Sequence, residues 1–121
     1  MKSCLVVDDS RVIRKVACRL FEDLSFRAEE AEDAGTALEA CAHKMPDVIL
    51  LDCTLPSMSC VEFLHKLRKQ DGGMWPVILF STTENDVSHI AEAVGSGAND
   101  FIMKPFDRDL LKAKLMEVGL L

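Results

Sequence analysis

Four short apolar blocks punctuate the chain, at 4–7, 48–51, 77–80 and 101–103. Each is rich in Val, Ile, Leu or Phe and too short for a helix, which predicts strands buried on both faces. A fifth strand is expected over 26–31, where Phe26 and Ala28 alternate with Arg27 and Glu29; its one solvated side places it at a sheet edge. Between these blocks apolar residues recur at three and four positions, as an amphipathic helix requires. Val12, Ile13, Val16, Ala17, Leu20, Phe21 and Leu24 form the apolar face of a first helix, and Ala34, Ala37, Leu38, Cys41 and Ala42 that of a second. Val61, Leu64 and Leu67 mark a third, Val87, Ile90, Ala91 and Val94 a fourth, and Leu111, Leu115 and Val118 a fifth. Asp33 and Asp107 suit helix N-caps, while Gly72-Gly73 and Pro76 separate the third helix from the fourth strand. Regular alternation of strand and helix predicts a doubly wound α/β fold: five parallel strands, five helices on both faces, and right-handed crossovers.

Composition narrows the picture. With 121 residues the chain is expected to be one domain over 1–121 with no output domain attached. Half the residues are hydrophobic, enough for a core, yet no apolar run approaches the roughly 20 residues of a membrane span. A formal net charge of −6 opposes the phosphate backbone that dominates nucleic-acid affinity, which argues against direct DNA or RNA binding. Five cysteines, odd in number, without a CxxC pair and without a signal peptide before them, fit a reduced cytoplasmic protein.

In open parallel sheets, ligands bind beyond the carboxyl ends of the strands, so the residues that follow each apolar block carry the chemistry. The first block is followed by Asp8-Asp9, the third strand by Asp52, the fourth by Ser81-Thr82 and the last by Lys104-Pro105. Asp8 or Asp9 alone is accounted for as a helix cap and Asp52 alone as a turn former, but their joint placement with a hydroxyl and an ammonium points to a site. Two like unit charges at about 4 Å repel by ~1 kcal/mol in water and ~4 kcal/mol at an effective dielectric of ~20. Three clustered carboxylates therefore call for positive charge. Lys104 supplies one unit, and a hard, oxygen-ligated divalent cation such as Mg2+ supplies two more. Such a pocket suits phosphoryl transfer, where positioning and charge neutralisation dominate, with Asp52 the candidate phosphoacceptor.

Competing sites are weaker. Gly95-Ser96-Gly97 lacks the third glycine of a dinucleotide loop and precedes a strand instead of following one, and no GxxxxGK[ST] loop exists. His43, His65 and His89 fall at exposed helix positions without zinc-ligand spacing. Cys53 follows Asp52, but neighbouring strand residues point to opposite faces, which argues against a Cys/His nucleophile at this position.

As a set, Val6-Val7-Asp8-Asp9-Ser10, Ile49-Leu50-Leu51-Asp52-Cys53-Thr54-Leu55-Pro56, Ser81-Thr82-Thr83-Glu84, Gly97-Ala98 and Lys104-Pro105-Phe106 resemble the receiver domain of two-component response regulators, in its CheY-like single-domain form. The resemblance covers nearly the whole chain. It implies the flavodoxin-like strand order 2-1-3-4-5. It further implies that Asp52 takes a phosphoryl group from phosphohistidine on a histidine kinase or phosphotransfer protein. Asp9 and Asp52 would hold Mg2+ directly, the Thr54 carbonyl would complete the protein ligands, and Asp8 would assist through water. Lys104 and the switch hydroxyl of Thr82 would turn to the phosphoryl oxygens; agreement with the usual family spacing from the phosphoacceptor favours Thr82 over Ser81. Pro105 would follow a cis peptide, and Phe101 occupies the aromatic switch position, where Tyr is common. This chain has no Tyr, Thr54 stands where many relatives carry Asn, and Ser59-Cys60 where many carry Asp-Gly.

The expected function is a stand-alone phosphorylation switch of protein binding, acting through the face around the fourth helix, last strand and fifth helix. It would be a monomer that phosphorylation could dimerise, and it would not be a conventional enzyme. A phosphate shuttle or sink is the alternative within the same class. A metal-dependent phosphatase is a different class, but such enzymes resemble DxDx[TV] and carry a second acid two residues after the nucleophile, where this chain has Thr54. A purely structural adaptor would be indifferent to Asp52→Asn.

Overall fold

A computed structural model describes residues 1–55, 58–83, 95 and 98–121. Five parallel strands, β1 (Ser3–Val7), β2 (Arg27–Ala31), β3 (Val48–Asp52), β4 (Val77–Thr82) and β5 (Asp100–Met103), form one sheet in the order β2-β1-β3-β4-β5. The parallel sense is the one the apolar blocks predict, and the order is the one the family resemblance implies. Four described helices surround it: α1 (Arg11–Asp23), α2 (Ala34–His43), α3 (Cys60–Arg68) and α4 (Arg108–Glu117), the last being the fifth in the sequence prediction. The helix expected around Val87–Val94 lies outside the described residues, as do Pro56, Glu84, His89, Ser96 and Gly97.

Alternation along each strand divides the core. Leu5, Val7, Ile49, Leu51, Ile78 and Phe80 face one side and pack with α2 and α3 through Ala37, Cys41, Phe63, Leu64 and Leu67. Cys4, Val6, Val48, Leu50, Leu79 and Ile102 face the other and meet Phe21, Leu111 and Leu115 of α1 and α4. Burial pushes the thiols of Cys18 and Cys41 up to about 11, so both are held as inert core groups. The β2 edge alternates exposed charged residues with half-buried ones, which blunts pairing with another sheet.

Helix starts follow local chemistry. Asp33 accepts from the Thr36 amide at 2.7 Å and Asp107 from the Leu110 amide at 2.9 Å, as the sequence predicts. The cap of α1 is Ser10, whose hydroxyl accepts from the Ile13 amide at 3.3 Å. That releases Asp8 and Asp9 from the capping role left open above. Ser59 caps α3 through the Glu62 amide at 3.1 Å, which gives the Ser59-Cys60 departure a local structural use.

The apolar spacing of α1 places Val12, Ile13 and Val16 on its inner face, but Val12 is 72% and Val16 54% exposed. The helix instead turns Arg14, Ala17, Cys18 and Phe21 inward. Arg14 finds polar partners beneath the helix, so the inward face is shifted around the axis and the Val12–Val16 edge is left uncovered. Among the described residues no helix is long and apolar enough to cross a membrane.

Candidate functional site

The parallel sheet directs the ends of β1, β3, β4 and β5 to one edge. Asp52 and Ser81 are paired across β3 and β4, and Thr82 is paired with Met103 across β4 and β5. The strands thus run one or two residues beyond their apolar blocks, so Asp52, Ser81 and Thr82 are fixed by ladder hydrogen bonds instead of hanging from loops. Asp8, just past β1, is fixed in the same way, its amide donating to the Ala31 carbonyl at 3.2 Å. The Lys104 amide donates to the Thr82 carbonyl at 2.7 Å, which sets Lys104 against the end of β4.

Carboxylate oxygens of Asp8, Asp9 and Asp52 come within 4.8 Å of one another. Asp8 and Asp52 are buried and Asp9 is exposed at the rim. Lys104 lies between the two buried acids, its Nζ 2.9 Å from Asp8 Oδ2 and 3.3 Å from Asp52 Oδ1. Burial would lower the Lys104 ammonium, but the hydrogen bond to Asp8 and the charges of Asp52 and Asp8 outweigh it and hold the pKa above the ordinary lysine value. One ammonium among three carboxylates leaves a formal deficit of two charges. An all-oxygen donor set with that deficit fits a hard divalent cation such as Mg2+, and not zinc, which prefers nitrogen and sulfur.

Two contacts at Asp52 escape sequence reading. The Thr54 amide and hydroxyl both donate to Asp52 Oδ1, at 3.0 and 2.8 Å. Together with Lys104 they place three donors on one oxygen and so fix the orientation of the carboxylate. The i, i+2 spacing of an acid and a Thr was a legible turn signal, but only the bend after β3 aims the hydroxyl back at the carboxylate. Thr82 is buried with its hydroxyl donating to the Thr83 carbonyl at 3.3 Å, a long bond that a better acceptor can replace. Ser81 is also buried, one residue earlier on the strand and hence on the opposite face.

The Lys104-Pro105 peptide is cis, as the resemblance implies. Phe101 lies in β5, partly buried against the Leu51 and Phe80 side of the core, with Lys114 Nζ 5.0 Å from its ring centroid. Lys114 is also 3.5 Å from Asp100, so α4 grips β5 at the aromatic position. His43 and His65 are exposed, and neither is a member of the acidic cluster.

Comparison with known proteins agrees with this architecture. Residues 4–116 match the family described as response regulator receiver domain. The chain is 32% identical over 114 residues to the phosphate regulon transcriptional regulatory protein PhoB of Escherichia coli, covering 94% of this chain and 50% of that protein. It thus spans about half the length of several curated relatives that it matches. Chemotaxis protein CheY-3 of Vibrio cholerae is 32% identical over 115 residues, covering 94% of this chain and 88% of that one. The structure of chemotaxis response regulator CheY4 of Vibrio cholerae superposes with a TM-score of 0.89 at 32% identity, covering 98% of both chains. The receiver domain of the sensor histidine kinase PA1611 of Pseudomonas aeruginosa, with a magnesium ion coordinated in its active site cleft, superposes with a TM-score of 0.85 at 26% identity, covering 96% of this chain and 95% of that one. By fold, by strand-end chemistry and by sequence, the chain belongs to the response regulator receiver domain family.

Proposed function

We propose that this receiver domain accepts a phosphoryl group on Asp52 from phosphohistidine of a histidine kinase or phosphotransfer protein and thereby switches its binding to a downstream protein. The observation that carries the reading is the buried Asp52 carboxylate held by Thr54 and Lys104 next to two further acids. An Asp52 oxygen attacks phosphorus, an O–P bond forms as the P–N bond to the donor imidazole breaks, and the imidazole leaves with the bonding electron pair. Lys104 stabilises charge on the phosphoryl oxygens, and Thr82 donates to one of them. Asp9, Asp52 and the Thr54 carbonyl would hold Mg2+, with Asp8 acting through water; the ion supplies the charge neutralisation that three carboxylates and a phosphoryl group need. Phe101 and Lys114 would relay the change to the face of β5, α4 and the helix expected around Val87–Val94. The reading places the chain in the cytoplasm.

The test is intact mass after incubation with acetyl phosphate and Mg2+. Wild type should gain one hydroxylamine-labile phosphoryl group, and Asp52→Asn none. No addition to the wild type from acetyl phosphate or from a phosphohistidine protein would sink the reading. Stability gives a separate check. With Mg2+ at about a hundredfold its dissociation constant the fold should gain about 2.7 kcal/mol, read as a higher Tm. Asp9→Asn should lose most of that gain while melting higher than wild type in chelator, because one like charge is gone from the cluster.

The uncovered edge of α1 adds the donor's approach. Val12, Ile13 and Val16 line an apolar groove with Pro105 and Phe106, and Lys104 joins that groove to the acidic cluster. A phosphohistidine donor seated there would have its imidazole at the rim of the cluster. Val16→Arg should slow transfer from a phosphohistidine protein roughly tenfold or more, the cost of about 1.4 kcal/mol of lost docking, and leave phosphorylation by acetyl phosphate unchanged. Equal slowing of both reactions would contradict this docking mode.

A further inference from the structure

Arg14 is a half-buried cation beneath α1 whose side chain is 13% exposed, and the transfer chemistry above makes no use of it. Its Nη1 donates to the Asp8 carbonyl at 2.8 Å and its Nε to Glu30 Oε1 at 3.0 Å. Glu30 is anchored in β2 opposite Val6 of β1, and it also accepts from Lys15 at 2.6 Å. The hydrogen bond from Lys15 and then that from Arg14, against the cost of burial, hold the Glu30 carboxyl below its usual range, so it is a dependable anion at neutral pH. We infer that Arg14 is a positioning residue for the acidic loop: it locks the Asp8-Asp9 peptide and thereby sets the direction in which Asp9 presents its carboxylate to a divalent cation. The inference rests on the metal-binding reading given above.

The backbone accounts for the effect. The Asp8 amide is already tied to the Ala31 carbonyl of β2, and its two carboxylate oxygens accept from the Ser10 amide and from Lys104. The Asp8 carbonyl belongs to the same rigid plane as the Asp9 amide. With that carbonyl held by a guanidinium the plane cannot rotate, and the rim residue Asp9 inherits a fixed backbone although its own side chain is exposed. A carboxylate at the rim must otherwise be ordered at the moment of binding, which weakens affinity. The planar guanidinium serves the carbonyl and Glu30 at once, which a lysine ammonium on a flexible stem cannot do in this geometry. A charge-only role for Arg14 predicts that Lys substitutes well, whereas a positioning role predicts that it does not.

Three variants, Arg14→Lys, Glu30→Gln and the double variant, read by two measurements, decide the matter. The first measurement is the Asp9 amide 15N shift in the metal-free protein, which reports the hydrogen bond on the preceding carbonyl. The second is Mg2+ affinity by calorimetric titration of the folded protein. Arg14→Lys should move the Asp9 resonance and weaken Mg2+ binding about tenfold, the size typical of losing a partner that orients a metal ligand. Glu30→Gln should act in the same direction by a smaller factor, and the double variant should be no weaker than Arg14→Lys, because both belong to one chain of contacts. A lower Tm with wild-type Mg2+ affinity would mark Arg14 as purely structural and overturn the inference. So would weakened affinity with an unmoved Asp9 resonance. Failure of the wild type itself to bind Mg2+ would overturn the metal reading and the inference together, a result distinct from variants that match a binding wild type.

Discussion

Replacing Lys104 with Met should destabilise the metal-free protein by about 3 kcal/mol at neutral pH, the lower end of the cost of breaking a buried ion pair. Asp8 and Asp52 are almost fully buried and both lie within 3.3 Å of the Lys104 ammonium, so its loss leaves two buried carboxylates facing each other and Asp9 without a counter-charge. The lower end applies because the Lys104 side chain is itself 18% exposed and water reaches the cluster from the rim. The pH dependence has a definite sign. The folded-state pKa of Lys104 is raised, so its stabilisation is fully present below the ordinary lysine value of about 10.4 and fades as pH rises through the folded value. Urea unfolding of wild type and Lys104→Met should therefore show a constant gap from pH 6 to 9 that closes only in stronger alkali. Adding Mg2+ should narrow the gap at neutral pH. An unchanged gap in saturating Mg2+ would mean that the cation does not enter the same electrostatic cluster.

Thr82→Ala is expected to leave Asp52 open to phosphorylation while uncoupling the response. The hydroxyl is buried at the end of β4, bonded weakly to the Thr83 carbonyl, on a residue whose own carbonyl holds the Lys104 amide. When a phosphoryl group appears on Asp52, exchanging that 3.3 Å bond for one to a charged oxygen gains roughly 1.5–3 kcal/mol, enough to shift a balanced equilibrium about ten- to a hundredfold. Without the hydroxyl that gain is lost. In wild type, phosphorylation should move the amide resonances of Phe101 and Lys104 to a new, mostly populated state. Thr82→Ala should take the phosphoryl group and leave those resonances near their starting positions, and Thr82→Ser, which keeps the hydroxyl, should restore the shift. Full movement in Thr82→Ala would assign the switch elsewhere, with Lys104 the next candidate.

Much of this architecture is written locally. The continuous apolar blocks at 48–51 and 77–80 can only be buried on both faces, which forces helices onto both sides of the sheet, and a parallel sheet then brings all strand ends to one edge. Asp8, Asp52 and Lys104 follow apolar blocks directly and Thr82 follows one residue later, so the acids and the ammonium were legible as a cluster from sequence alone. The strand order was legible through family resemblance alone, because periodicity says which residues are strands and not which strands are neighbours.

What the sequence could not carry is direction about an axis and contact across the chain. Helical period identified the apolar residues of α1, but a helix with apolar residues around more than half of its surface has no unique inner face. Partners on β2 and at the Asp8 carbonyl, distant in sequence, turn Arg14 inward and leave Val12 and Val16 outside. Thr54 reads as a loop residue until the bend after β3 folds its hydroxyl onto Asp52. Asp8 alone reads as a helix cap by composition, but the geometry gives the cap to Ser10 and leaves Asp8 to Lys104. Period and spacing along one chain were enough to read the described strands and helices, the buried character of the sheet and the charges at its edge. The tertiary structure alone decided which oxygen each donor serves and which face of α1 meets solvent, because hydrogen bonds and packing are settled between segments that the sequence keeps apart.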